Sequence, residues 1–152
     1  MEKSAQLKRR VAGLFNSQKF AVLSTHSAGQ PYASLVAFAA TQDLRHLLFA
    51  TTRSTRKYVN IKSDARVSML MDSRSNQDSD ISNAIAVTAT GTAEEVDQKN
   101  GDPSLNTYLT KHPHLKDFVN SPSCALIRMK VDAYYLVSKF QKVFELHVAE
   151  RT

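Results

Sequence analysis

The sequence predicts a mainly β fold: an antiparallel barrel of six to eight strands with three to four short helices packed around it. Three observations carry this. Apolar runs of strand length recur along the whole chain. Most are separated by short turns rich in Gly, Pro, Asn, Asp and Ser. No linker, internal repeat or low-complexity stretch divides the 152 residues, so one domain over 1–152 with one core is expected.

The elements follow in order. Residues 4–16 place Leu7, Val11, Leu14 and Phe15 on one helical face and Lys8, Arg9 and Arg10 on the other. Residues 20–25 (FAVLST) form a strand. Residues 26–30 (HSAGQ) turn the chain, with Gly29 free to take positive φ. Residues 31–40 (PYASLVAFAA) form a second strand, so the pair is a hairpin. Residues 46–51 (HLLFAT) are a third strand, apolar on both faces. A short helix follows, with Ser54 or Thr52 as N-cap and Tyr58 and Ile61 as its buried ridge.

Residues 66–71 (RVSMLM) are the fourth strand, and the polar stretch 73–83 is a loop. Residues 84–93 (AIAVTATGTA) are the fifth strand, and EEVDQKNG after it is an exposed acidic connection. Asp102-Pro103 starts a helix, with an N-cap followed by Pro at N1. A second start lies at Pro113, ahead of Leu115, Phe118 and Val119. The last strands are 123–131, 133–137 and 143–148.

Composition narrows the function classes. Hydrophobic content is 42%, ordinary for a globular chain, and no apolar stretch is long enough to span a bilayer as a helix. MEKSAQLKRR has no apolar h-region, so no secretory signal is expected. The single cysteine, Cys124, cannot form an internal disulfide. Together these favour the cytoplasm. The net charge of +6 is uneven: residues 1–66 carry +8, 67–102 carry −5 and 103–152 carry +3. A basic first half suits nucleic acid, an anionic membrane, a phosphorylated small molecule or simply a solvated surface. The sequence has no G-x-x-x-x-G-K-S/T, no C-x-x-C and no G-x-S-x-G. That argues against a P-loop enzyme, a zinc ribbon or dithiol site, and the common hydrolase elbow. Any redox chemistry therefore needs a cofactor.

The most informative stretch is TTRSTRKYVN, 51–60. It gathers Thr51, Thr52, Ser54, Thr55, Arg56 and Lys57 at a strand-to-helix corner. A helix N-terminus offers unpaired N–H groups and a positive dipole end. Hydroxyls, a planar guanidinium and a lysine beside it make a phosphate cradle. The competing description is an ordinary capped helix with exposed cations.

The corner sits in a wider pattern: Gly29-Gln30-Pro31-Tyr32, Phe49-Ala50-Thr51, Thr55-Arg56-Lys57, Asn60 and Arg66-Val67-Ser68. In order and spacing this resembles the flavin mononucleotide (FMN) binding split-barrel family related to pyridoxamine 5′-phosphate oxidase. The resemblance covers residues 20–93 closely and the remainder loosely. It implies a homodimer with FMN at the subunit interface and a small-molecule substrate. It places the phosphate on Arg56 and Lys57, helped by Thr51 and Thr55, with Ala50 and Thr52 on the same strand end. Ser34, Leu35, Val36 and Ala37 would line the ring and ribityl chain. The activity implied is an FMN-dependent oxidoreductase, with a non-catalytic flavin or haem binding protein of the same fold as the alternative; another flavin or a deazaflavin is the other cofactor choice.

The match has departures. Where the oxidase carries an Arg and a Lys on the second strand, this chain has Ser34 and Ala39. YLTKHP, 108–113, is similar to the oxidase's substrate-phosphate segment, but His112 stands in place of its Arg beside Tyr108. The tail YYLVSKFQKVFEL is similar to haem-utilisation relatives, with Lys139-Phe140-Gln141 in place of Gly-Phe-Gly.

Other residues have bland and functional readings side by side. His112 and His114 flank Pro113 as a metal pair or, better, as a surface helix start; no metal is expected. His26 is a solvated turn residue or a proton relay near the ring. Cys124 is a buried, inert thiol. Tyr134 and Tyr135 pack in the core or a dimer interface, with one of them bordering the flavin as the functional reading. Asp72 and Arg74 could reach a partner subunit's cofactor. Nucleic-acid binding through Lys8, Arg9, Arg10 and 53–57 ranks last, because few aromatics lie among those cations.

Overall fold

The computed structural model describes residues 2–139 and 142–149. Among these, seven strands and five helices follow one another: α1 (Glu2–Ser17), β1 (Phe20–Ser27), β2 (Gln30–Ala40), β3 (His46–Thr52), α2 (Arg56–Ser63), β4 (Arg66–Asp72), α3 (Asp80–Asn83), β5 (Ala86–Glu95), α4 (Ser104–Lys111), α5 (Lys116–Asn120), β6 (Cys124–Ser138) and β7 (Lys142–His147). Two 3-10 turns, Gln98–Asn100 and Pro113–Leu115, lead into α4 and α5.

The strands form one antiparallel sheet in the order β3-β2-β1-β4-β5-β6-β7, and a β3–β6 pairing closes the first six into a barrel. The β1–β2 turn is a two-residue one, closed by Ser27 opposite Gln30, with Ala28 and Gly29 both at positive φ. Such turns match the twist of a hairpin.

β6 holds the barrel shut because it is long. Cys124–Lys130 pairs β3, and Ala133–Ser138 on the same edge pairs β7. The changeover falls at Asp132, whose carbonyl accepts from the amides of Val148 and Ala149. The two strands expected over 123–131 and 133–137 are therefore one: the exposed Asp132 changes partner, not direction.

The interior is filled by alternate residues of every strand, among them Leu23, Phe38, Leu47, Phe49, Met69, Val87, Ile127 and Tyr134. The apolar face of α1 closes this core, with the Phe15 ring edge-on to Phe38 and Tyr134. A second cluster on the outer face of β2, β3 and β6 packs Ala39, Leu48 and Leu126 under Tyr108 of α4 and Val119 of α5.

Smaller corrections have local causes. The N-cap of α2 is Thr55, not Ser54 or Thr52; its Oγ1 accepts from Tyr58 N at 3.4 Å. The loop 73–83 ends in the single turn of α3, held because the Asp80 carboxylate accepts from the amides of Ser75, Asn76 and Gln77. Glu94 and Glu95 belong to β5 rather than to an open acidic connection, since both are held by arginines. Phe140 and Gln141 of the tail lie outside the described residues.

Candidate functional site

β1 pairs the whole of Gln30–Ala37, whereas β3 pairs β2 only over Phe38–Ala40. Among the described residues, the far edge of β2 from Pro31 to Ala37 therefore has no strand partner. Phe38 N donates to Lys19 O at 3.1 Å, on the β1 side. Antiparallel alternation then turns the backbone groups of Ala33, Leu35 and Ala37 toward the open edge. The Ala37 carbonyl is already taken, by Tyr108 Oη at 3.0 Å.

The helix α2 packs on β1, next to β2 in the sheet. It is tied to β1 by a buried bond from Asn60 Nδ2 to Thr25 Oγ1, 3.0 Å. Its first residue, Arg56, lies with its guanidinium 5.6 Å from the centroid of the Tyr32 ring on β2. The strand-to-helix corner and β2 are thus brought together.

The hydroxyls of the corner are spent mostly on the corner itself. Thr51 is buried, and its Oγ1 lies 2.7 Å from Thr55 Oγ1. Both can donate to Thr52 O, at 3.1 and 3.0 Å. Thr52 and Ser54 hydroxyls lie 3.2 Å apart. The amides of Arg56 and Lys57 precede the first intrahelical donor, Val59 N, which bonds Thr55 O at 3.1 Å, and point out of the helix start.

The cations divide in two. Arg53 donates to Glu95 at 2.7 Å and to Pro122 O at 2.8 Å, while Tyr58 Oη donates to the other Glu95 oxygen at 2.6 Å. Arg53, with help from Tyr58, holds the Glu95 carboxyl below its ordinary pKa. Arg66 and Arg74 likewise sit on Asp64 and Asp72. Arg56 and Lys57 have no carboxylate partner among the described residues. A helix start with two uncompensated cations is electrostatically open to an anion.

The four β2 residues expected to line a cofactor do not share a face. Ser34 and Val36 point inward and Leu35 and Ala37 outward, Leu35 being 67% exposed. All four lie on the stretch of β2 that β3 does not pair, but only Leu35 and Ala37 turn backbone groups to its open edge. The Ser34 Oγ is buried without a hydrogen-bond partner. Tyr32 lies two residues away on the same face. The resemblance already names Ser34 as a lining residue; Tyr32 is the residue it does not name, although its period-two spacing with Ser34 and Val36 is the available signal.

Several other expectations change. His112 is not a surface residue: it is 2% exposed, and its Nε2 donates to Phe38 O at 2.7 Å. Tyr108 is equally buried, so neither side chain of the 108–113 segment reaches solvent; burial pushes the Tyr108 hydroxyl up to about 12. Ala39 is packed under α4, where a lysine would not fit. His26 lies 3.1 Å from Asp64. Cys124 is buried and burial raises its thiol pKa. Tyr134 is a core residue donating to Leu44 O at 2.8 Å. Arg74 and Asp72 pair with each other at 3.0 Å. Among the described residues no group of three or more His, Cys, Asp and Glu comes together as a metal site.

The larger clefts lie elsewhere, about 490 Å³ between α1, β2 and α4 and about 390 Å³ beside Arg53 and α5. An exposed apolar patch lies beside the open edge. Leu35, Val22 and Leu70 are in cross-strand register, with Phe20 next to them and Asp72 and Arg74 at the rim.

A family model described as pyridoxamine 5′-phosphate oxidase matches residues 7–138. No curated protein matches the chain in sequence. Among solved structures, a haem-binding protein from Mycobacterium smegmatis superposes with a TM-score of 0.79 at 16% identity over 95% of this chain, which spans 57% of that protein's chain. General stress protein 26 from Bacillus anthracis gives 0.64 at 22% identity, covering 93% of this chain and 98% of that one. An FAD-binding protein from Mesorhizobium loti gives 0.61 at 18% identity, covering 84% and 90%. At these identities the likeness is one of fold.

Proposed function

Because the chain belongs to the pyridoxamine 5′-phosphate oxidase family, we propose that it is an FMN-binding flavoprotein, a single domain that works as a homodimer on a small substrate in the cytoplasm. The observation that carries this is the pair Arg56 and Lys57: two cations without carboxylates, at the amino end of α2, beside the open edge of β2. The residues present fit the group. Arg56 gives the phosphate a bidentate contact, Lys57 a point charge, and their amides the helix dipole. Thr51 and Thr55 contribute by locking the corner, with Ala50 and Thr52 forming the strand end that carries it. The edge of Leu35 and Ala37, with the unpartnered Ser34 hydroxyl and Val36 behind it, is the wall for the ring and ribityl chain.

FMN, when bound, supplies reversible hydride and single-electron transfer. The chain's own part is to anchor the phosphate, orient the ring along β2 and exclude water through a second copy. The apolar patch of Phe20, Val22, Leu35 and Leu70 suits that copy: it adjoins the site and is contiguous across three strands.

The first test is the visible spectrum of the purified protein with FMN, before and after desalting. Retained flavin supports the reading. Failure to retain it, followed by a haem titration that does saturate, replaces it with the haem-binding alternative. Arg56→Ala should lower FMN affinity roughly tenfold to a hundredfold, the worth of a charge-assisted hydrogen bond. Unchanged affinity would show that the phosphate does not sit at this corner.

A further inference from the structure

We propose that Tyr32 is the positioning residue that lets this site select a phosphorylated ligand over its dephosphorylated form, by holding the Arg56 guanidinium on its ring. The inference rests on the flavin reading above.

Arg53, Arg66, Arg74 and Arg128 are each matched to a carboxylate, at 2.7, 2.7, 3.0 and 2.6–2.8 Å. A carboxylate fixes an arginine but also cancels its charge and occupies its donors. Arg56 is matched to a ring instead, with 5.6 Å between guanidinium carbon and ring centroid. An aromatic face restrains the planar group while leaving the net charge and the in-plane N–H donors for another acceptor. The restraint also lowers the rotamer entropy lost when an anion is gripped. Arg56 is solvent-exposed and Tyr32 is 40% exposed, so no core packing explains their contact. Tyr32 lies on the same face of β2 as Ser34, whose buried hydroxyl has no hydrogen-bond partner.

Riboflavin has the ring and ribityl chain of FMN but not its phosphate. A defect confined to Arg56 must therefore appear in the ratio of the two affinities. The experiment titrates wild type, Tyr32→Phe, Tyr32→Leu, Arg56→Met and the Tyr32→Leu/Arg56→Met double variant with FMN and with riboflavin, following flavin fluorescence. Tyr32→Leu should weaken FMN about two- to fivefold, the range for an exposed cation–π contact, and leave riboflavin affinity unchanged. Tyr32→Phe should keep the wild-type ratio, because the ring remains. In the Arg56→Met background, Tyr32→Leu should change FMN affinity by less than about twofold. A Tyr32→Leu protein that keeps the wild-type FMN-to-riboflavin ratio overturns the role of Tyr32 while leaving FMN binding standing. Equal loss of both flavins also overturns it, since that is wall damage. A wild-type protein that binds neither flavin, or both equally, overturns the flavin-phosphate reading and this inference with it. Circular dichroism melts confirm folding, and Tyr32→Gln replaces Tyr32→Leu if the latter does not fold.

Discussion

Ser34 shows how a single residue can carry a functional cost in the free protein. Its Oγ is buried and has no partner. A hydroxyl in that state costs about 1–3 kcal/mol relative to a satisfied one. Ser34→Ala removes the penalty, so the ligand-free variant should melt higher than wild type. The same variant should gain less from added FMN, because the hydroxyl that the ligand would satisfy is gone. Paired thermal melts with and without FMN read both changes. An apo variant that melts no higher than wild type would mean that the hydroxyl finds water instead. At this scale the sequence was partly legible. Arg56 and Lys57 could be singled out because cations at a helix start have a chemical meaning before any fold is known. The stack of Arg56 on Tyr32 could not, since it joins residues on two elements whose packing depends on where β3 leaves β2.

The helix α4 shows what spacing alone leaves open. Tyr108 and the C-cap residue His112 are four residues apart and fall on one side of the helix end, yet the sequence reads His112 as part of a surface helix start. Both point inward because β2 offers them acceptors: the carbonyls of Ala37 and Phe38. Lys111, between them, donates to Phe15 O at 2.8 Å and lies 3.9 Å from the Phe38 ring centroid. α4 thereby ties the C-terminal end of α1 and the wall of the candidate site into one unit. Burial lowers the Lys111 ammonium from its ordinary value to about 8. Between about pH 8 and 10.5 the unfolded chain keeps a proton that the folded chain has released. Stability contributed by this group therefore rises with pH across that window. Urea unfolding of wild type and Lys111→Met at pH 7.5 and pH 10 should show the difference moving in favour of wild type at the higher pH. A difference that stays constant would mean that the cation–π and carbonyl contacts offset the burial. The strands were easier to read than this helix, since turn residues bound them. The exception was β6, where Asp132 imitates a break.

Across the whole molecule, the barrel followed from apolar runs and turns because each strand's alternation names its buried face. The proposed site is less legible, because the wall proposed for it is a backbone edge and backbone groups leave no mark in composition. Its mouth also adjoins the patch of Phe20, Val22, Leu35 and Leu70, and a single sequence cannot distinguish an apolar strand face awaiting a second copy from one covered by a helix. The outer face of β2 shows both cases: Ala39 lies under α4, and Leu35, four residues earlier on the same face, is open. Phe20 and Leu70 are 57% and 37% exposed, and neither belongs to the proposed cofactor wall. Phe20→Lys with Leu70→Lys places charge on the patch without disturbing either core. If the patch joins two copies, wild type should run as a dimer in sedimentation and the double variant as a monomer with a similar far-ultraviolet spectrum. FMN retention through desalting should fall with the dimer, because the ring would then be open to water on the side the second copy covers. A monomeric variant that keeps wild-type FMN affinity would show that one chain completes the site. The anchoring energy would then lie in Arg56, Lys57 and the β2 edge alone, and the patch would serve assembly rather than binding.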